Sequence, residues 1–180
     1  MIEKIEKLTL KKAIDYIKFF LAILFLYLGF WAWKSYDVIL IPIDNAQMSP
    51  SFFPKEFHVG KRFENHENVD YGMVVYYTQA HPVAKRTDNS FFFARVVGLP
   101  GDTISIKRGV LHRNGKSVDE PYVAHENFLE ENYEEVIVPR EHVYLLVDNR
   151  KRLNREVYYQ DSRAWGPFFV YTLNGILTQK

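Results

Sequence analysis

The sequence predicts a mostly β domain that follows one N-terminal transmembrane helix, and three observations carry that expectation. An uncharged apolar run, Phe19–Trp33, stands near the N-terminus; short apolar and aromatic runs broken by turn residues fill the rest; and Asn114–Gly115 follows one such run as a hairpin signal. With 180 residues, 47% of them hydrophobic, the chain has room for one membrane segment and one modest domain with a core, and too little for two full domains.

The apolar run is extended by Tyr16 and Ile17 on one side and by Tyr36 on the other. Roughly 20 residues at about 1.5 Å each cross a hydrocarbon layer of about 30 Å, so residues 18–36 are assigned as a transmembrane anchor. Lys18 and Lys34 are placed to snorkel at its ends, and Trp31, Trp33 and Tyr36 stand where an aromatic interface belt is expected. Lys4, Lys7, Lys11, Lys12 and Lys18 precede the run, against little beyond Lys34 just after it. That asymmetry makes residues 1–17 cytoplasmic and residues 37–180 an extracytoplasmic domain. No small-x-small site closes the run, which argues for an uncleaved anchor over a signal peptide.

Beyond the anchor the expected strands are Val38–Ile43, Phe57–Phe63, Met73–Tyr77, Phe91–Val97, Thr103–Lys107, Val110–Arg113, Val136–Val138 and Val143–Val147. Gly60, Pro82, Pro100–Gly101, Asn114–Gly115 and Pro139 punctuate them. The acidic stretch Glu126–Glu135 reads as a helix or surface loop.

Composition removes several function classes. A net charge of +1 with scattered Lys and Arg offers no basic face, so nucleic acid is not an expected partner. Cysteine is absent, which excludes disulfides and thiolate metal sites, and the six histidines lack ligand spacing; no metal or cofactor is expected. The 14 Phe and 12 Tyr suit strands and a peptide-binding surface.

Four segments stand in a fixed order: Gln47–Met48–Ser49–Pro50–Ser51–Phe52 soon after the anchor; Tyr71–Gly72–Met73–Val74–Val75–Tyr76; Ala94–Arg95–Val96–Val97–Gly98–Leu99–Pro100–Gly101–Asp102; and Val147–Asp148–Asn149–Arg150 with Asp161–Ser162–Arg163–Ala164–Trp165–Gly166. In that order they resemble the boxes of the type I signal peptidases of family S26, membrane serine endopeptidases that remove signal peptides. The first is similar to Ser-Met-x-Pro-Thr-Leu, the second to Arg-Gly-Asp-Ile-Val-Val, the third to Lys-Arg-Val-Ile-Gly-Leu-Pro-Gly-Asp, and the last pair to Gly-Asp-Asn-Arg and Asp-Ser-Arg-x-x-Gly. Asn114–Gly115 with Glu120–Pro121–Tyr122 resembles the family's Asn-Gly and Glu-Pro-Tyr hairpin. The resemblance runs from the anchor to the C-terminus and implies a signal-peptidase-like β domain.

The family hydrolyses peptides with a serine activated by a buried lysine. Gln47 falls at the serine position and Ala94 at the lysine position. A carboxamide is no nucleophile toward an amide, and a methyl group takes no proton. The resemblance therefore implies no catalytic residue. Ser49 is the fallback nucleophile, and Lys61, Lys85 and Lys107 are the lysines near enough in sequence to weigh as a displaced base. Ser51, at the family's threonine position, is expected to bond its local turn. Met73 for an aspartate, Val147 for a glycine and Tyr159 where a serine would bond the catalytic lysine depart from the pattern together, as drift after abandoned chemistry would leave them.

The resemblance also assigns a groove and a framework. Ile41, Ile43, Met48, Phe52, Phe92 and Phe93 match the positions that line the family's shallow pockets, beside which peptide adds as an extended strand. Gly98, Pro100, Gly101, Asp102, Asp148, Arg150, Asp161, Ser162 and Arg163 are expected to be structural, with Asp161 and Arg163 as a buried ion pair and Gly98, Pro100 and Gly101 in a tight turn whose backbone geometry other residues would strain. The implied role is a non-catalytic membrane accessory or chaperone in export or assembly of surface proteins, with pilus polymerisation as the specific case. Its partners would be an exported or pilus subunit polypeptide, a sortase and the lipid bilayer of the cell membrane. Signal-peptidase-like proteins without the dyad stand beside Gram-positive pilus subunits and sortases. The alternative is an active signal peptidase with an unorthodox nucleophile or base.

Overall fold

A computed structural model of the chain describes residues 2–41, 46–64, 68–78, 91–123, 131–150 and 161–177, with side chains from Lys11 onward. Contacts divide the chain into two units, Met1–Asp37 and Val38–Lys180.

The first unit is a single helix, α1 (Ile2–Ser35), of 34 residues. It starts well before the expected anchor and continues through the lysine-bearing flank, because no Pro or Gly interrupts residues 2–28. Within it Lys11–Ser35 is long and apolar enough to cross a membrane. Its large apolar side chains are mostly exposed: Phe25 is 76% exposed and Leu26 70%. Tyr36, expected inside the anchor, instead opens the first strand.

Among the described residues the second unit holds eleven strands: β1 (Tyr36–Leu40, which begins in the first unit's last residues), β2 (Phe57–Arg62), β3 (Val74–Tyr77), β4 (Phe92–Gly98), β5 (Thr103–Lys107), β6 (Val110–Arg113), β7 (Lys116–Ser117), β8 (Tyr133–Ile137), β9 (His142–Leu146), β10 (Phe168–Phe169) and β11 (Gly175–Leu177), with a one-turn helix, α2 (Ser162–Trp165). A seven-stranded sheet runs β1-β2-β11-β3-β4-β9-β10 and a four-stranded sheet runs β7-β6-β5-β8. The domain is mostly β, as the sequence predicts. Strand β4 is interior to the large sheet and every one of its seven residues is buried, which is why it reads as one apolar run broken only by Arg95.

The buried residues form two clusters, and strands β4 and β9 of the large sheet contribute to both. Tyr76, Val75, Phe93, Ala94, Val143 and Leu145 belong to the larger cluster. The smaller is built from Val97, Ile104, Ile106, Leu111, Val138 and Leu146. The β6–β7 hairpin turns at Asn114 (φ 53°) and Gly115 (φ 77°), both positive as a type I′ turn demands.

Three elements differ from expectation. Tyr133–Glu135 is the start of β8 and neither helix nor loop; Tyr133 and Val136 pack on the small core while Glu134 and Glu135 are exposed, and the register shift opposite Ile104 and Ile106 breaks the simple alternation by which a strand is read from sequence. The rest of that acidic stretch lies outside the described residues. Strands β7, β10 and β11 have two or three residues each, too few to show a period. Gly98 has no positive φ; a Cβ there would lie 2.9 Å from Ile104 Cγ1 and 3.0 Å from Tyr144 Cβ, so the requirement is space, at the register shift between Val96 and Gly98. Gly101, at φ +90°, does meet the conformational expectation.

The turn after β4 is tied by Asp102. Its carboxylate accepts from the Leu99 N–H (2.8 Å), the Tyr71 hydroxyl (2.7 Å) and Asn114 Nδ2 (2.7 Å). The Arg113 guanidinium lies over the Tyr71 ring, 3.9 Å from its centroid. One carboxylate thus joins the turn before β3, the β4–β5 turn and the β6–β7 hairpin. Burial alone would raise the Asp102 pKa; the bonds from Leu99, Tyr71 and Asn114, with the charge of Arg113, outweigh it and hold the group below its ordinary value. A depressed folded-state pKa stabilises fully above the unfolded value of about 3.9 and is lost as pH falls through the folded value. The urea midpoint is therefore expected to fall between about pH 5 and pH 3, and Asp102→Asn to flatten that slope; an unchanged slope in the variant would assign the acid sensitivity elsewhere.

Candidate functional site

Gln47 and Ala94 mark the site. Gln47 is half-buried at the start of the turn 47–50, and Ala94 is 0% exposed in β4, paired with Val75 of β3. Neither side chain offers a nucleophile or a base at these positions.

The framework around them is polar and buried. Asp148, 0% exposed just after β9, takes a bidentate ion pair from Arg95 of β4 (Nε–Oδ1 2.8 Å, Nη2–Oδ2 2.5 Å). The Ser51 hydroxyl donates to the same Oδ2 (2.5 Å), and Arg95 Nη2 also reaches Ser51 Oγ (3.1 Å). Ser51 is thus bonded across the fold, where the sequence suggests only a local turn. Arg95 Nη1 donates to the Gly72 carbonyl (2.7 Å), and its guanidinium lies 4.1 Å from the centroid of the Tyr122 ring.

Next along the chain, Asn149 donates from its backbone N–H to the Gln47 carbonyl (2.8 Å) and from Nδ2 to the Ala46 carbonyl (3.0 Å). Arg150 pairs with Glu120, which also accepts from the Tyr122 hydroxyl (2.9 Å). Burial pushes the Tyr122 hydroxyl far above the ordinary tyrosine value, and the charge and hydrogen bond of Glu120 add to it. The Glu-Pro-Tyr resemblance signals this pair, while the partner choice of Arg150 is invisible in sequence.

Asp161 and Arg163 form the expected buried ion pair (Nη2–Oδ2 2.7 Å; side chains 0% and 3% exposed). Asp161 also caps α2 through the Arg163 N–H (2.9 Å) and accepts from Val147 N–H (3.1 Å), while Ser162 Oγ accepts from Leu145 N–H (2.8 Å). These bonds tie the 161–163 segment to β9. Strand β9 in turn pairs with β4 through Arg95↔Leu146. Residues 46–51, β4, 145–150 and 161–163 therefore form one connected unit.

Of the six groove residues, Ile41, Met48, Phe52, Phe92 and Phe93 are in the large core, 0–3% exposed, and Ile43 lies outside the described residues. Ser49 is half-buried, its N–H bonded to the Ala46 carbonyl (3.2 Å), and no base is bonded to its hydroxyl among the described residues. Lys61 and Lys107 are exposed; Lys85 and Tyr159 lie outside the described residues. Among the described residues no three or more His, Asp or Glu side chains could hold a metal.

Comparison with known proteins supplies the family. The sequence profile described as "Signal peptidase, peptidase S26" matches residues 13–178. Signal peptidase I S of Bacillus subtilis is 33% identical over 100 residues, covering 48% of this chain and 54% of that protein. Signal peptidase I of Bacillus amyloliquefaciens is 35% identical over 72 residues (36% and 39%), and probable signal peptidase I-2 of Synechocystis sp. is 32% identical over 95 residues (53% and 40%). These matches span 39–54% of the relatives' lengths. The crystal structure of a signal peptidase I from Enterococcus faecalis superposes with a TM-score of 0.47 at 21% identity, covering 62% of this chain and 97% of that one. With a profile match from residue 13 to residue 178, the chain belongs to the signal peptidase family, peptidase S26.

Proposed function

We propose that this chain is a non-catalytic, membrane-anchored member of its family that binds an exported polypeptide and assists its assembly at the cell surface, with pilus polymerisation as the specific process. One observation carries the reading: the ion-paired framework is intact while the two positions that would perform hydrolysis hold Gln47 and Ala94. Buried charges are costly to keep, so an intact framework around a spent dyad points to selection for the shape of this face. The helix Lys11–Ser35 supplies the anchor, and the lysines before it support a cytoplasmic N-terminus with the β domain outside. The pilus subunit and sortase as partners rest on the family resemblance.

The purified full-length protein in detergent is expected to release no product from a signal-peptide substrate, at a limit set by a no-enzyme blank, while an authentic signal peptidase cleaves it. Turnover that disappears in Ser49→Ala would overturn the proposal and make the chain an enzyme with an unorthodox nucleophile. Turnover unaffected by Ser49→Ala would point to a contaminating peptidase, removed by repeating the assay on a chain purified from a host lacking that activity.

A further inference from the structure

We propose that Asn149 is a positioning residue for polypeptide capture, holding the Ala46–Gln47 backbone preformed for a partner that binds in extended conformation. The inference rests on the polypeptide-binding reading above and adds the residue that makes the binding edge rigid.

The segment 46–52 lies outside the strands, so no sheet ladder fixes it. Met48 and Phe52 bury their side chains and set its depth. Burial constrains a side chain's volume but leaves the peptide planes between Ala46 and Gln47 free to tilt. Asn149 removes that freedom. Its backbone N–H and its Nδ2 donate to two consecutive carbonyls, Gln47 (2.8 Å) and Ala46 (3.0 Å). The Ala46 carbonyl also accepts the Ser49 N–H (3.2 Å), so the turn is closed on the same oxygen that Asn149 holds. At its far end, Ser51 is fixed by its bond to Asp148, the residue beside Asn149.

Two adjacent residues after β9 thus pin both ends of a segment that carries no chemistry. A catalytic protein needs such pinning to hold its nucleophile within a few tenths of an ångström. Here the nucleophile is absent and the pins remain. The remaining use for a fixed backbone is recognition: an extended peptide that adds by main-chain hydrogen bonds gains affinity when the edge it meets is already ordered, because no ordering entropy is lost on binding. Asn149 reaches the partner only through the backbone it holds, so its effect is on affinity.

The test uses the full-length protein in detergent and a fluorescein-labelled synthetic peptide that spans a signal-peptide cleavage region, read by anisotropy. Asn149→Ala and the similarly sized, uncharged Asn149→Leu both lose the Nδ2 donor and keep the backbone N–H. Both are expected to weaken binding about five- to tenfold, as the loss of one ordering hydrogen bond allows, with the melting temperature within about 3 °C of the native protein. Asn149→Gln, which restores a donor on a longer stem, is expected to recover part of the affinity. Unchanged affinity in Asn149→Ala and Asn149→Leu overturns the positioning role and leaves the binding reading standing. A loss of affinity only in step with a loss of melting temperature also overturns it, by making Asn149 a plain stability residue. A native protein that binds no peptide overturns the binding reading and this inference with it.

Discussion

Asp148→Ala is expected to destabilise the β domain by about 3–5 kcal/mol, the usual cost of stripping one partner from a buried ion pair. Asp148 is 0% exposed, and its two oxygens satisfy Arg95 Nε, Arg95 Nη2 and the Ser51 hydroxyl. Removing it leaves a guanidinium with a side chain only 4% exposed facing an apolar gap. Neither the Gly72 carbonyl nor the face of Tyr122 replaces a negative charge. For a domain of this size the melting temperature is expected to fall by roughly 10 °C, measured by circular dichroism in detergent. The double variant Arg95→Met/Asp148→Leu removes both charges and is expected to be more stable than Asp148→Ala alone, because the dominant cost is the orphaned cation. A single variant within about 1 kcal/mol of the native protein would show that water reaches Arg95 and that the pair is not a buried one.

The same pair marks how far the sequence alone reaches. Arg95 and Asp148 both sit inside legible motifs, yet their partnership is not legible, because they are 53 residues apart and Asp148 has Arg150 as a nearer candidate in sequence. The ion pair Asp161–Arg163 is legible, since two residues of spacing at a helix start bring a capping carboxylate and an arginine together. The hairpin at Asn114–Gly115 is legible for the same local reason.

Long-range placement accounts for the rest. Ile41, Met48, Phe52, Phe92 and Phe93 match pocket positions by motif, but whether such a residue floors a groove or fills the core depends on which strands cover it, and they lie in the core. Ser51 offers a local bond in any turn reading, and only the fold delivers Asp148 to it from 97 residues away. Asn149 is legible as part of a box and silent as to its role, because its two acceptors are backbone oxygens, and backbone oxygens leave no trace in a sequence.

Strand β11 is the extreme case, three residues that insert between β2 and β3 and close the large sheet, and it leads to the second large expected effect. Gly175→Ala is expected to cost about 3 kcal/mol or more, at or beyond the upper end of ordinary overpacking. A Cβ at Gly175 would lie 2.2 Å from the Lys61 carbonyl oxygen and 2.8 Å from both Cε1 and Oη of Tyr76. The carbonyl belongs to β2, whose register with β11 runs Gly175↔Arg62, Ile176↔Lys61 and Leu177↔Gly60, so it cannot retreat without opening that pairing. Gly60, against the same tyrosine, offers the comparison. Its added Cβ would meet only side-chain atoms, Tyr76 Cε1 at 2.7 Å and Ile39 Cδ1 at 2.8 Å. Ile39 can rotate its terminal methyl, and the tyrosine ring can shift if its own packing is relaxed. Gly60→Ala is therefore expected to be the milder change, and Tyr76→Leu, which removes the ring, should recover part of its loss. The same second change should leave Gly175→Ala nearly as unstable as before, since the obstructing atom there is backbone. Denaturant midpoints for the two glycine variants, Tyr76→Leu alone and the two double variants separate the cases; rescue of Gly175→Ala by Tyr76→Leu, beyond the cost of Tyr76→Leu itself, would mean that β2 and β11 yield more readily than their register implies, and that the sheet tolerates a shifted C-terminal strand.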